Sequence, residues 1–382
     1  MQFLNPLGTA YIGAGGYNEP QAGPVFRRAR ELSERIGEPS QTFAITWGTW
    51  VYHATHGNLR LSLELATEAM ELAERLNDPG ILMEALLMPG ATRFYRGDFA
   101  GARACHARAL TEYDDRTRTK FWAEHTGQDA GVAHRGFFAL ALWHLGYPGQ
   151  ALAVDRQMGE LAHALGHPFT LAHAHCFSAL LYQHCRLGAE TEAACNEQLR
   201  IAAEQSFLWW HVTGLVFKAG GLLLQGRADD ALPLLRKALD AFGGTWAANL
   251  TCYFSIAGET YTKTCRFADA KRTLDEGLVL AEERDERFLE AELHRLKGEL
   301  HLAETNNQAA AEGCFRTAIA TARRQQSKAW ELRATMSLAR LWQRQGRRAE
   351  ARVALAAVYG TYTEGFTTPD LLDVAALLKA LA

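Results

Sequence analysis

The sequence has no Gly-x4-Gly-Lys-Ser/Thr loop, no His-Glu-x-x-His and no Gly-x-Ser-x-Gly, so it carries no P-loop of its own and none of these catalytic signatures. Its glycine cluster, Gly13-Ala14-Gly15-Gly16, follows no strand pattern and precedes no lysine; it reads as a helix end rather than a phosphate cradle. Cys-x-x-Cys pairs are missing. The seven cysteines (105, 176, 185, 195, 252, 265 and 314) are odd in number and scattered, the usage of a reducing compartment in which thiols serve as small core residues. The longest near-continuous apolar run, Phe207 to Phe217, is interrupted by His211 and stopped by Lys218, well short of the ~20 residues a spanning helix needs. Met1-Gln2-Phe3-Leu4-Asn5-Pro6 lacks a basic n-region, so no signal peptide is expected. Neither charge sign dominates: 40 basic residues face 43 acidic ones, for a net charge of −3, which gives no global field for nucleic acid. These absences predict a soluble, cytoplasmic, non-enzymatic chain with no cofactor, no metal and no membrane association.

What is present is helix, in a repeat. Hydrophobic residues make up 48% and charged residues 22%, the composition of a folded chain. Its 382 residues exceed one ordinary core, unless the chain grows by stacking. A frame of small residue, second small residue twelve positions on, larger apolar residue four further and small residue three further recurs as Ala219, Ala231, Leu235, Ala238 and as Gly258, Ala270, Leu274, Gly277. It returns as Gly298, Ala311, Phe315, Ala318, with one extra residue in the turn, and as Ala339, Ala351, Leu355, Val358. Gly90, Ala102 and Ala109 keep the frame earlier, with His106 in the apolar place. The first positions from Ala219 onward fall 39, 40 and 41 residues apart. Such spacing suits a helical hairpin in which small side chains let two axes approach and the larger one fills the gap.

Glycine turns at Gly57, Gly97, Gly188, Gly226 and Gly346, and prolines at 39, 79 and 168, separate the helices as C-caps and first-turn residues. Second helices are expected near 22–36, 59–76, 98–113, 149–165, 189–205, 228–242, 267–284, 309–325 and 347–359, with first helices between them. No period-2 alternation argues for a sheet. Thr368 as N-cap and Pro369 as first helical residue open a terminal capping helix within 368–382. The expectation is an all-α solenoid, a single repeat domain over 1–382 of about nine long hairpins in a right-handed superhelix. No cap is visible at the other end, as in an array cut from something longer, which predicts an exposed apolar patch over residues 3–17.

The hairpin pattern resembles the tetratricopeptide repeat, stretched to about forty residues. Glu286 to Leu300, Ala322 to Arg333 and Val358 to Phe366 are similar to the C-terminal repeat regions of bacterial AAA/STAND-type signalling ATPases, many of them known as adenylate or guanylate cyclases. A weaker likeness runs back through Gly127-Gln128-Asp129 and Phe99-Ala100-Gly101-Ala102-Arg103. The resemblance implies a sensor region that follows a nucleotide-binding module, so any ATPase or cyclase activity would lie in domains outside this chain.

Candidate contacts come from departures from the repeat and from side chains the inner surface would present. Gly97 and Gly146 stand 49 apart, about nine residues over the norm. The excess, an insertion over 114–128, contains Trp122 and His125 and is followed by Asp129; Gln128 closes it. It is either a tolerated loop or a ligand contact. Trp47, Trp50, Trp209 and Trp210 fall on first helices, as core packing or as groove anchors. Arg316 to Arg352 holds ten basic and two acidic residues, Arg323, Arg324 and Arg333 among them; this is either a solvated helix face or a docking surface. His163 and His167 are four apart, but His167 lies in a turn and no carboxylate ligand is fixed nearby, so ordinary histidines are expected. Pro89, inside a first helix, should kink it. Two functions remain: a protein- or peptide-binding sensor of a bacterial signal-transduction protein, whose partner is another protein or the upstream domains of the same polypeptide, and a receptor holding a small inducer in the concave groove.

Overall fold

The structure, a computed structural model, describes residues 21–36, 38–114, 128–242 and 250–382. Among the described residues there are eighteen helices and no strand. α1 (Ala22–Ile36) is followed by eight hairpins: α2 (Pro39–Thr55) with α3 (Leu59–Leu76), α4 (Pro79–Tyr95) with α5 (Phe99–Glu112), α6 (Ala130–His144) with α7 (Pro148–Leu165), and α8 (Pro168–His184) with α9 (Gly188–Gln205). Then come α10 (Leu208–Leu224) with α11 (Ala228–Phe242), α12 (Leu250–Lys263) with α13 (Phe267–Glu283), α14 (Glu290–Thr305) with α15 (Gln308–Arg324), and α16 (Lys328–Arg344) with α17 (Arg348–Tyr359). α18 (Pro369–Ala380) packs on α16 and α17 at the end. The expected glycine cluster and the patch over 3–17 lie outside the described residues, as does most of the 114–128 insertion.

The small-residue frame explains why each hairpin closes. A Cβ on Gly258 would fall 2.5 Å from a Leu274 methyl, and one on Gly298 would fall 2.5 Å from the Phe315 ring. Leu274 and Phe315 are each fully buried by that contact. The first position is therefore small because the large residue of the second helix lies directly on its Cα. Gly90 follows the same rule with a different occupant: the buried His106 ring sits where its Cβ would be. The kink expected at Pro89 is not a break, since α4 runs unbroken from Pro79 to Tyr95.

Each turn between the first and second helix of a hairpin holds one left-handed residue. Glycine supplies it at 57, 97, 146, 226 and 346, but Arg186, Cys265 and Asn306 supply it elsewhere, with φ of 61°, 57° and 51°. The expected role of Gly188 is thus corrected: Gly188 opens α9 and Arg186 takes the strained position. Thr368 is the N-cap residue of α18, with Pro369 first in the helix, as expected. Its side chain caps no helical N–H; its hydroxyl donates to the Gly365 carbonyl instead.

First helices stack on first helices along the inner side, and the superhelix curls until α16 touches α6. Early turns then meet late inter-repeat loops. Gly57 lies under the Arg284 side chain, Gly97 under Gln325, and Gly146 under Lys328 and Tyr362. The Tyr95 carbonyl accepts from the N–H groups of Arg287 and Phe288, and Arg96 pairs with Asp285 at 2.7 Å. Arg186 reaches Asp373 at 2.7 Å and Asp370 at 3.2 Å. Arg333 pairs with the same Asp370 at 2.8 Å, donates to the His184 carbonyl and stacks on the Trp143 and Trp330 rings. Successive turns of the superhelix therefore rest on one another rather than standing apart as in an open spiral. No described helix is long and apolar enough to cross a membrane.

Candidate functional site

The inner surface holds two chemically different recesses. The first is apolar, about 90 Å³, and lies among α2, α4, α6, α8 and α10, where Trp50, Gln128, Trp209 and Trp210 converge with Phe137 and His173. Four candidates from the sequence thus meet, although they come from positions as far apart as 50 and 210. All four are buried. Trp50 Nε1 donates to Thr92 Oγ1 at 3.0 Å, tying α2 to α4, and the Trp210 carbonyl accepts from Gln198. His173 stacks on Phe177, and neither ring nitrogen has a hydrogen-bond partner; burial pushes it down to about 3. A recess this small holds a few water molecules or one side chain.

Trp47 is buried and does not line this recess. Asp129 proves to be a helix cap: its carboxylate accepts from the Val132 N–H and the Tyr113 hydroxyl. Trp122 and His125 lie outside the described residues.

The second recess is polar and about 600 Å³, within the range of ligand pockets. α12, α14 and α16 wall it, and the α8–α9 turn and α18 close it. A deeper extension of about 60 Å³ shares Glu259, Glu292 and Arg333 with it and reaches His184 and Trp330. Its inner wall is acidic around a single cation. Arg295 pairs with Glu292 at 2.6 Å and Glu299 at 3.3 Å, and Glu299 also accepts from the Ser337 hydroxyl. Glu259 faces this cluster without a hydrogen bond or ion pair. Burial raises its pKa, helped by Glu292 and Glu299 and opposed by Arg295 and Lys263. The rim is basic. Lys263, Arg340 and Arg344 are exposed there; Arg340 lies 3.7 Å from Asp373, and Lys263 and Arg344 have no ion-pair partner. No local motif marks this recess, because its residues are spread over three repeats, one turn and α18; the one trace in the sequence is polar spacing at i, i+3/i+4 on three consecutive first helices.

The basic segment behaves otherwise than its composition implied. Arg323 pairs with Glu331, Arg324 with Glu290, Arg316 with Glu312, and Arg347 with Glu312 and Glu350. Glu290 and Glu312, from outside the segment, thus answer a small part of the local excess. Arg323 and Arg324 stand exposed at the end of a second helix, away from both recesses. Arg333 lines the polar recess but is buried and committed to internal partners. Among the described residues no group of three or more His, Cys, Asp or Glu is placed to hold a metal.

No family model and no curated protein matches the sequence. Solved structures match the fold. A Rap protein complexed with competence and sporulation factor is similar over 89% of this chain and 97% of its own, with a TM-score of 0.53 at 13% identity. The chain is an all-α, tetratricopeptide-like solenoid. Aspartyl phosphate phosphatase F from Bacillus subtilis is similar over 94% of this chain and 92% of its own, with a TM-score of 0.49 at 13% identity. A STAND signal-transduction ATPase with a tetratricopeptide repeat sensor, from Pyrococcus horikoshii, is similar over 84% of this chain and 52% of its own, with a TM-score of 0.45 at 11% identity. At these identities the likeness is one of fold.

Proposed function

We propose that residues 1–382 act as one non-catalytic repeat domain, the sensor of a bacterial signal-transduction protein, with the polar recess as its ligand site. The observation that carries this reading is the unmet charge of that recess. Lys263, Arg344 and Glu259 line about 600 Å³ of space without ion-pair partners of their own. The size and polarity of the recess, about 600 Å³ walled by charged side chains, favour a small polar ligand. The similar fold of a Rap protein complexed with competence and sporulation factor supports recognition within such a stack. The output would pass to a protein partner or to other domains of the same polypeptide, through the late repeats that both wall the recess and hold the closure.

A thermal-shift screen of mixed metabolites and short peptides tests this. At least one compound should raise Tm for the native chain and fail to do so for Arg340→Ala/Arg344→Ala. Shifts that survive the double substitution, or none across the whole set, would overturn the reading.

A further inference from the structure

The polar recess has a charge axis. Its inner wall sets Glu259, Glu292 and Glu299 against Arg295 alone, while its rim and closing side set Arg186, Lys263, Arg333, Arg340 and Arg344 against Asp370 and Asp373. One end is thus acidic in excess and the other basic in excess. The unpaired members mark the two ends. Glu259 and Lys263 occupy i and i+4 of α12, in the order that favours an ion pair on a free helix, yet each is left without one. Arg344 joins Lys263 at the rim. Deeper in, His184 is buried with its Nε2 unpartnered, a second polar group that lines the extension and is unmet by protein.

From this we infer that the recess binds a zwitterionic small molecule of amino-acid to dipeptide size, its ammonium toward Glu259 and its carboxylate toward Lys263 and Arg344. The inference rests on the recess being the ligand site and adds the chemistry of the ligand. Side chains at i and i+4 stand ~5–6 Å apart at Cβ, so the ligand's opposite charges are separated by a comparable span. A ligand cation relieves the repulsion among the three glutamates, which Arg295 answers on that wall and Lys263 opposes only from one helical turn beyond Glu259. A ligand anion gains charge-assisted hydrogen bonds from an exposed rim at little desolvation cost. A neutral sugar would satisfy neither end.

Calorimetric titration and thermal shift with glycine, γ-aminobutyrate, lysine and dialanine test this, each beside its N-acetyl and C-amide derivative, with a neutral disaccharide as the uncharged probe. At millimolar concentration at least one free zwitterion raises Tm by a few degrees, and blocking either end weakens binding tenfold or more. Glu259→Gln, which keeps volume and removes an unpaired carboxylate, leaves the unliganded protein at least as stable. It should also bind the N-acetyl form and the free form alike. Lys263→Met and Arg344→Gln do the same for the amide. Failure of all four zwitterions overturns the inference, as does binding that ignores these substitutions. If the disaccharide or a blocked derivative binds best and Arg340→Ala/Arg344→Ala abolishes it, the assigned charge chemistry fails while the recess remains the ligand site.

Discussion

Histidine is the residue that makes this interior unusual. His134 Nε2 lies 2.9 Å from the Met83 carbonyl and so carries the proton; its Nδ1 accepts from His106 Nδ1 at 2.8 Å. Burial pushes His134 down to about 4, and burial with the neighbouring His134 holds His106 well below its usual range. His144 stacks on Phe99 beside Ser327 and is held low by burial, then by His184 and Arg333; burial takes His173 and His184 down to about 3. All five are neutral in the fold and titrate near 6.5 once exposed. Below pH 6.5 the unfolded chain therefore binds more protons, and stability falls as pH drops from 6.5 toward the folded values. Thermal melts should show Tm dropping steeply between pH 6.5 and 4, and a flat Tm over that interval would refute the neutral assignment. Glu84 acts in the opposite sense. Burial, and then Asp129, raise it to about 8, so its contribution is present at low pH and is lost as pH rises from 4.5 through 8. Glu84→Gln should stabilise the protein by on the order of a few kcal/mol at pH 8, with the gain shrinking toward pH 5.

At this scale the sequence was legible where a rule was broken and silent where a partner was needed. His106 stood out because it took an apolar place in the frame. Its partner His134, 28 residues on, could not be seen. Arg333 read as one member of a basic segment because nothing in that segment mentions Asp370. The tryptophans were placed on the inner side correctly by helix order, but periodicity does not say whether a ring faces a groove or fills it.

The hairpin is the element, and its design is a small residue beneath a large one. Gly298→Ala gains ~1 kcal/mol of helix propensity but puts a Cβ at 2.5 Å from Phe315. A net loss of ~1–3 kcal/mol is expected, read as a lower denaturation midpoint and recovered in part by adding Phe315→Leu. A gain would show the contact to be slack. In the turns, Cys265 holds φ at 57° with an exposed side chain. Cys265→Gly should stabilise by ~1 kcal/mol by removing left-handed strain, as judged by the same denaturation curve. Arg186 holds a like angle for a different reason, its pairing with α18, and should not tolerate glycine so well. Helix boundaries were legible because glycines, prolines and the small-residue frame are local. The three turns without glycine in the left-handed position were not, since what offsets their strain lies in the next superhelical turn or in nothing the turn itself contains.

For the whole molecule, closure is the property a repeat count cannot supply. Forty-residue units dictate a stack, and only the angle between units decides whether successive superhelical turns touch. Here they touch through α16 on α6, the turn–loop contacts and the buried Arg333–Asp370 pair. Asp370→Ala leaves the buried Arg333 without its carboxylate and should cost ~3 kcal/mol or more. It should also raise amide exchange in α18 and at the recess before global unfolding; unchanged exchange there would mean the pair does not hold the closure. The closed stack itself is tested most directly by small-angle scattering of the native chain. A radius of gyration of ~21 Å, as for a compact chain of this length, is the expected result, and a value several ångström larger, as an open superhelix would give, would contradict it.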